Sequence, residues 1–507
     1  MFKNKVFMVA LLLSLAFIVV GTMFKDGLMN TATSILNFII TYFGWFYLST
    51  GSLFVIVCLY LMFSKYGKIK LGDPTDQPAY GTKTWLAMLF STGMGVGLVF
   101  WSIAEPVMHY MNNPFTEPGS DESAEFALQN TFFHWGIHPW AIFGLVGLGM
   151  AYFQFRKKLP ALVSSIFYPI LGDRIYGPIG KTIDTYSIFV TTLGVASTLG
   201  LSSLQIAGGF NVVWGIPNTL TLQITIISFA TIIFVISSIT GINRGIKILS
   251  NINMVIAVGL MLMLLLIGPM TTILSLFVST TASYLNDMIS LSFRLTPFSE
   301  DKQSWITNWP VFYWAWWTTW APFVGAFIAR ISKGRTIREY VLGVLIVPSF
   351  VSFVWFSVLG GSALHLIHDL GITALGESVN ADITSALFQF FEYLPLSTLL
   401  SVITMALIII FFITSSDSAT FVLGMLSDKG NLNPPNKLKV LWGVIIAGSA
   451  IVFLLNGGLD AVKTFSIVAA APFTLLMIFM SYSIYKSVKG EMNETTIQTT
   501  QKDKSVS

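Results

Sequence analysis

The feature that most limits what this chain can fold into is a series of about twelve apolar runs, each long enough to cross a bilayer. A spanning helix needs about 20 mostly apolar residues. Such runs lie near residues 6–23, 43–64, 84–111, 131–155, 185–213, 221–241, 252–278, 307–330, 341–366, 397–426, 438–456 and 464–485. Only 10% of the 507 residues are charged, against about 25% in a soluble protein. The chain therefore reads as an all-α integral membrane protein. No loop is large enough to hold a soluble domain, and nothing in the charge pattern suits a nucleic acid.

Basic residues set the orientation. With the N-terminus in the cytoplasm, the cytoplasmic loops hold Lys65, Lys68 and Lys70, then the basic run 156–158, then Arg244 and Lys247, then the basic residues of 330–338 and of 429–439. The tail from Lys486 falls on the same side. With Lys83, Arg174 and Lys181, which fall in the same loops, these segments and the N-terminus hold 24 of the 28 Lys and Arg, all but Lys25, Arg294, Lys302 and Lys463, as the positive-inside rule asks. The opposite loops are acidic, with EPGSDESAE beyond Asn113 and HDLGITALGESVNAD beyond Leu366. An even number of spans, both termini in the cytoplasm and a cell-membrane location follow.

The run 6–20 comes after Lys3 and Lys5 like a signal peptide, but no small-residue cleavage site follows it, so a retained helix is expected. SYLNDMISLSFRLTPF, after the seventh run, is helical in spacing but too short to span; it reads as a helix along the outer surface. From about Gly490 the tail is polar and is expected to be flexible. The single Cys58 sits in an apolar run and can form no internal disulfide.

Two runs are interrupted by residues that spanning helices avoid. The third contains STGMGVGLVFWSIAEP (91–106). Its alternating Gly93, Gly95 and Gly97 disfavour a regular helix, and Glu105-Pro106 disfavours it again. Broken backbone at membrane depth is tolerated only against protein or a water-filled cavity, where freed amides and carbonyls become ligands for anions and sodium. Close helix crossing on glycine is the plainer alternative; the intramembrane Glu105 favours a functional break. The tenth run contains FFITSSDSAT (411–420), a cluster of hydroxyls with one carboxylate, Asp417. Such oxygens suit a hard cation such as sodium, and serve equally as glue between helices with Asp417 as a structural acceptor.

The fourth run contains FFHWGIHPWAIFGLVGLGMAYF (132–153). Trp140 and Phe143 share one helix face, and Trp135 reaches that face if Pro139 kinks the helix. His134 and His138 have a spacing that can hold a metal; with no third ligand in view they read as buried, hydrogen-bonded histidines. Six of the 14 tryptophans fall between Trp305 and Trp320, and Arg330, Lys333, Arg335 and Arg338 close that segment. Most of these indoles are expected to pack as bulky core. One or two are expected to present π-faces to an organic cation without hydrogen-bond donors, above all a quaternary ammonium.

GMGVGLVFWSIAEP, FHWGIHPWAIF, YWAWWTTWAPFVGAFIARISKGRTIRE and TSSDSAT together resemble the signature segments of the betaine/carnitine/choline transporter family. The resemblance covers nearly the whole chain. It implies a leucine-transporter-like fold of two inverted five-helix repeats preceded by two extra helices, often assembled as a homotrimer. The chain would divide into two N-terminal helices and a cytoplasmic loop (1–83), a first repeat (84–282), an outer amphipathic helix (283–300), a second repeat (301–485) and a flexible cytoplasmic tail (486–507). The aromatic box for a trimethylammonium group would be Trp135, Trp140, Phe143 and Trp317. Family betaine transporters usually carry Tyr at the position of Phe143, so the π-face is kept and a hydroxyl contact is not. Trp316 and Trp320 would line the cytoplasmic path or a transient site, and the backbone of 93–97, Met94 included, would approach the substrate carboxylate.

By the same resemblance, one sodium would be held by Ser91, the Met94 and Phe411 carbonyls, Thr414 and Ser415. A second sodium would draw on Thr191 and Phe323, but its other hydroxyl position reads Val195, with Thr192, Ser197 and Thr198 nearby. Sodium-independent exchangers of the family differ at the Met94 position and place a basic residue near the first site. This chain keeps Met94 and has no Arg or Lys inside the fifth run. The expected function is sodium-coupled uptake of glycine betaine as an osmoprotectant, with sodium as coupling ion and no cofactor. Choline or carnitine uptake, and sodium-independent precursor/product exchange, are the alternatives. No nucleophile, base and orienter can be assembled, so no enzyme is expected.

Overall fold

The computed structural model describes residues 4–93, 95–240 and 243–506. Regular structure among them is helical, apart from one antiparallel bridge between Lys70 and Thr336. The first half comprises α1 (Lys5–Met23), α2 (Lys25–Phe63), α3 (Thr82–Gly93), α4 (Val96–Asn112), α5 (Asp121–Trp135), α6 (Ile137–Ala151), the single turn α7 (Tyr168–Leu171), α8 (Pro178–Trp214), α9 (Leu220–Thr240) and α10 (Asn243–Ile267). The second comprises α11 (Met270–Ser292), α12 (Glu300–Ile306), α13 (Phe312–Ile331), α14 (Ile337–Leu364), the short α15 (Thr373–Ala381) and α16 (Ala386–Phe391), α17 (Ser397–Ser427), α18 (Asn436–Leu455) and α19 (Leu459–Val506).

Ten helical segments among the described residues are long and apolar enough to cross a membrane. They match ten of the twelve expected runs. The other two, 84–111 and 307–330, are helical as well, but the first is split into α3 and α4 and the second is loaded with Trp, Tyr and Thr.

Two local expectations need correction. Pro106 does not break its helix: α4 runs through it to Asn112, and the interruption lies at the glycines, where Gly95 is extended (φ −153°, ψ 177°). Met94 lies outside the described residues. The seventh span stops at Ile267, because Gly268-Pro269 ends it, and the surface helix begins earlier than expected, at Met270, and ends at Ser292. The boundary drawn at 282/283 therefore falls inside α11. α19 runs on through the polar tail to Val506, and Glu491 at the start of that tail accepts from Arg156 (2.6 Å to Nη2), Lys157 (2.8 Å) and the Tyr152 hydroxyl (2.8 Å).

The two ends of the bundle differ in charge. At one end the linker 64–81 is laced to the α13–α14 loop: Leu71 N–H donates to Arg335 O, Gly334 N–H to Leu71 O and Ile337 N–H to Ile69 O, all at 2.8–2.9 Å. Gly334 turns there at φ +82°, and a Cβ would meet Gln77 O at 2.2 Å, so only glycine fits. Arg335 lies over the Trp85 ring at 4.0 Å, and the hydrogen bond from Lys158 holds the Asp73 carboxyl below its ordinary range. At the other end the acidic loops meet through His368, which contacts Asp121 (3.0 Å) and the Tyr110 hydroxyl (2.9 Å). The basic loops 64–81, 156–158 and 330–338 thus gather at one end, opposite the acidic ones.

Candidate ligand cavity

Helix breaks build the site. The fourth span bends at Gly136, between α5 and α6, because Pro139 has no N–H to give and its ring crowds the carbonyl four residues back. The N–H of Ile137 freed by this bend donates to the Tyr284 hydroxyl of α11 at 3.2 Å. The kink expected from Pro139 is real and lies three residues earlier. It brings Trp135 onto the side of Trp140 and Phe143. The α3–α4 break leaves the first N–H groups of α4 without helical partners, next to the same space.

The four expected box residues converge. Trp317 meets Trp135 edge to face (centroids 4.9 Å, 79°) and Phe143 likewise (5.7 Å, 82°), and Phe143 meets Trp140 (5.5 Å, 74°). All four line one cavity of about 190 Å³. Edge-to-face packing is the geometry aromatic quadrupoles favour, and it leaves ring faces open to a cation. Trp316 stacks on Trp317 (5.0 Å, 26°) and donates from Nε1 to Ser197 Oγ at 2.9 Å. Trp320 also lines the cavity, and its buried Nε1 has no hydrogen-bond partner among the described residues.

Gly95 and Gly97 line the cavity too, while Gly93 closes α3. A Cβ at Gly97 would stand 2.7 Å from Trp316 Cη2 and 3.3 Å from Trp135 Cη2, so the two indoles close directly over a bare backbone.

Ser91, Phe411, Thr414 and Ser415 line the same cavity. The Thr414 hydroxyl donates to the carbonyls of Ile410 (2.9 Å) and Phe411 (3.2 Å), which leaves its oxygen lone pairs free for a cation. Asp417 is half-buried and does not line the cavity among the described residues. Phe323 lines it as well. Thr191 does not; its buried hydroxyl donates to Ser187 O at 2.7 Å. α8 and α13 meet in antiparallel register, Ser197 with Trp316 and Gly194 with Thr319.

Several site residues are not legible in the sequence. Ser250, Asn253 and Met254 of α10 line the cavity from an ordinary apolar run, and Phe356 reaches Trp135 from α14 (5.3 Å). Behind the box, the buried Glu105 accepts from Trp135 Nε1 (2.8 Å) and from the Tyr313 hydroxyl, and faces His134 Nδ1 at 2.6 Å. His138 turns elsewhere, with Nε2 2.9 Å from Ser292 Oγ.

Residues 5–493 match the model of the betaine/carnitine/choline family transporters. The chain is 46% identical over 492 residues to the glycine betaine transporter OpuD of Bacillus subtilis (strain 168), covering 97% of this chain and 95% of that one. It is 42% identical over 493 residues to the ectoine/hydroxyectoine transporter of Virgibacillus pantothenticus (96% and 97% covered). It is 38% identical over 472 residues to the glycine betaine/proline/choline/ectoine transporter VP1456 of Vibrio parahaemolyticus (92% and 83% covered).

Proposed function

The chain belongs to the betaine/carnitine/choline transporter family, and on that premise we propose that it takes up glycine betaine with sodium, by alternating access, as an osmoprotectant. The observation that carries the proposal is a single cavity lined by the aromatic box, by the Gly95 break and by the hydroxyls of α17. Its relatives are transporters, which supports a role other than catalysis.

Glycine betaine donates no hydrogen bond and spreads its positive charge over methyl groups. A carboxylate set directly against it would bind inorganic cations equally well. Desolvated indole faces instead give about 2 kcal/mol each and select by shape. The substrate carboxylate fits the other wall, at the start of α4, where unpaired N–H groups and the helix dipole favour an anion. The oxygens of Ser91, Phe411, Thr414 and Ser415 are of the hard type that sodium prefers. One sodium moving down the membrane potential supplies about 2.3 kcal/mol per 100 mV beyond its concentration gradient. Coupling then requires that the ion's oxygens be assembled when the substrate is in the box. The positive-inside pattern supports a cell-membrane orientation with the basic end and both termini in the cytoplasm. A homotrimer belongs to the same proposal.

Proteoliposomes given labelled betaine or choline outside, with and without an inward sodium gradient, test this. Sodium-dependent betaine accumulation is expected. Uptake indifferent to sodium would overturn the coupling, and choline accumulation that betaine does not inhibit would replace the substrate. Ser415→Ala is expected to raise the sodium concentration for half-maximal uptake about fivefold, as loss of one ligand hydroxyl worth about 1 kcal/mol implies. An unchanged sodium dependence would remove Ser415 from the ion site.

A further inference from the structure

We propose that Glu105 is a positioning residue for the aromatic box, an anion one ring removed from the substrate that fixes and polarises the π-faces meeting the cation. The inference rests on the quaternary-ammonium reading above and deepens it.

Glu105 is fully buried on α4 and does not line the cavity among the described residues. It therefore acts through other side chains. One oxygen, Oε2, accepts from Trp135 Nε1 at 2.8 Å and from the Tyr313 hydroxyl. The other, Oε1, lies 2.6 Å from His134 Nδ1 and 3.4 Å from His109 Nε2. One carboxylate thus ties α4, α5 and α13 together directly behind the box. Both rings it holds touch Trp317: Trp135 at 4.9 Å edge to face, and Tyr313 at 6.0 Å and 25°. The Trp317 indole N–H in turn donates to the backbone oxygen of His134 at 3.1 Å, the residue whose ring Glu105 holds.

The chemistry follows from who can donate. An indole N–H has no acceptor, so Oε2 must receive that bond. A buried carboxylate is stable only when its lone pairs are met by donors, and donors converge on both oxygens here. Hydrogen bonds from ring N–H and O–H groups to an anion push electron density into the rings, which deepens the negative face a cation meets. The charge itself adds an attraction weakly screened by the dry interior.

The ligand atoms of Glu105, His109 and His134 lie within 4.8 Å of one another, which also suggests a metal. The 2.6 Å between Glu105 Oε1 and His134 Nδ1 is the spacing of a hydrogen-bonded pair. Two ligands of one tetrahedral ion with bonds of about 2.0–2.1 Å stand roughly 3.3 Å apart, whereas 2.6 Å is a strong hydrogen bond.

The test compares two ligands of one shape. Glycine betaine and 3,3-dimethylbutanoate differ only in a nitrogen cation replaced by carbon. With the full-length protein in nanodiscs, Glu105→Gln is expected to weaken betaine binding about tenfold and to change 3,3-dimethylbutanoate binding less than twofold. Trp135→Phe, which keeps a ring and loses the N–H, is expected to be non-additive with Glu105→Gln on betaine affinity, and this cycle needs no second ligand. Equal weakening of both ligands, additivity, or an unchanged betaine affinity would overturn the proposal. If Glu105→Gln fails to fold, Tyr313→Phe, which removes the second donor to Oε2, is expected to show the same selective loss at smaller size, and its absence counts equally against the idea. A wild-type protein that does not bind betaine would be a different result: it would remove the substrate reading on which this rests.

Discussion

Trp317→Ala is expected to reduce betaine uptake at limiting substrate by roughly a hundredfold, and Trp305→Ala to change substrate affinity far less. Trp317 is the ring that the others share: it touches Trp135, Phe143, Trp316 and Tyr313. Its removal forfeits one desolvated cation–π face worth about 2 kcal/mol. It also frees Trp135 and Phe143 from edge contacts of about 1 kcal/mol each, so the remaining faces lose their orientation. Trp305 is an equally large buried indole, but it packs on α12 against His109 (5.1 Å), Phe115 (5.3 Å) and Phe126 (5.4 Å), away from the cavity. Its loss costs folding stability, of order 3–5 kcal/mol, and shows in a melting curve rather than in KM. Initial uptake rates of both variants, normalised to folded protein, check the contrast. Equal and mild effects on KM would dissolve the box.

Gly97→Val is expected to abolish uptake in a protein that still reaches the membrane. The first added carbon would already sit 2.7 Å from Trp316, and the far end of an indole is not a flexible neighbour. Trp316 is held by its bond to Ser197, and Trp135, the other ring in the way, is held by Glu105. Overpacking of this kind costs about 1–3 kcal/mol, and the space it takes is the wall of the box. Gly97→Ala is expected to be milder, with a KM raised about tenfold, corresponding to about 1.4 kcal/mol. Wild-type kinetics in the valine variant would mean that the two indoles move aside freely and that close approach of backbone to ring is unimportant.

Much of this was legible in the chain because membranes leave few options. Ten of the expected runs are helices of spanning length, since hydrocarbon forces every backbone group into a helix. The glycines at 93–97 announced a break, and the motifs announced that Trp135, Trp140, Phe143 and Trp317 would come together, as they do around one cavity. What the sequence could not give is what closes over it from a distance. Tyr313 read as one more aromatic in a crowded segment. Glu105 stood out as a carboxylate at membrane depth, but its partners lie 29, 30 and 208 residues away. Asn253 is a lone amide in an apolar run, and only packing shows that it lines the cavity. Local rules also misjudged Pro106: a proline inside a helix costs little where the carbonyl it orphans can be accommodated by neighbouring helices, and α14 packs on it closely, with Gly360 offering the room.

The bend at Gly136 is stabilised by a hydroxyl borrowed from another helix, Tyr284 on α11. The curvature that sets Trp135 beside Trp140 begins with Pro139 in its own stretch of chain but is held from outside it. Transplanting that stretch alone into a distant scaffold would carry over Trp135, Trp140 and Phe143 and loosen the angle between them, so this arrangement of three rings is heritable only together with a segment some 150 residues downstream.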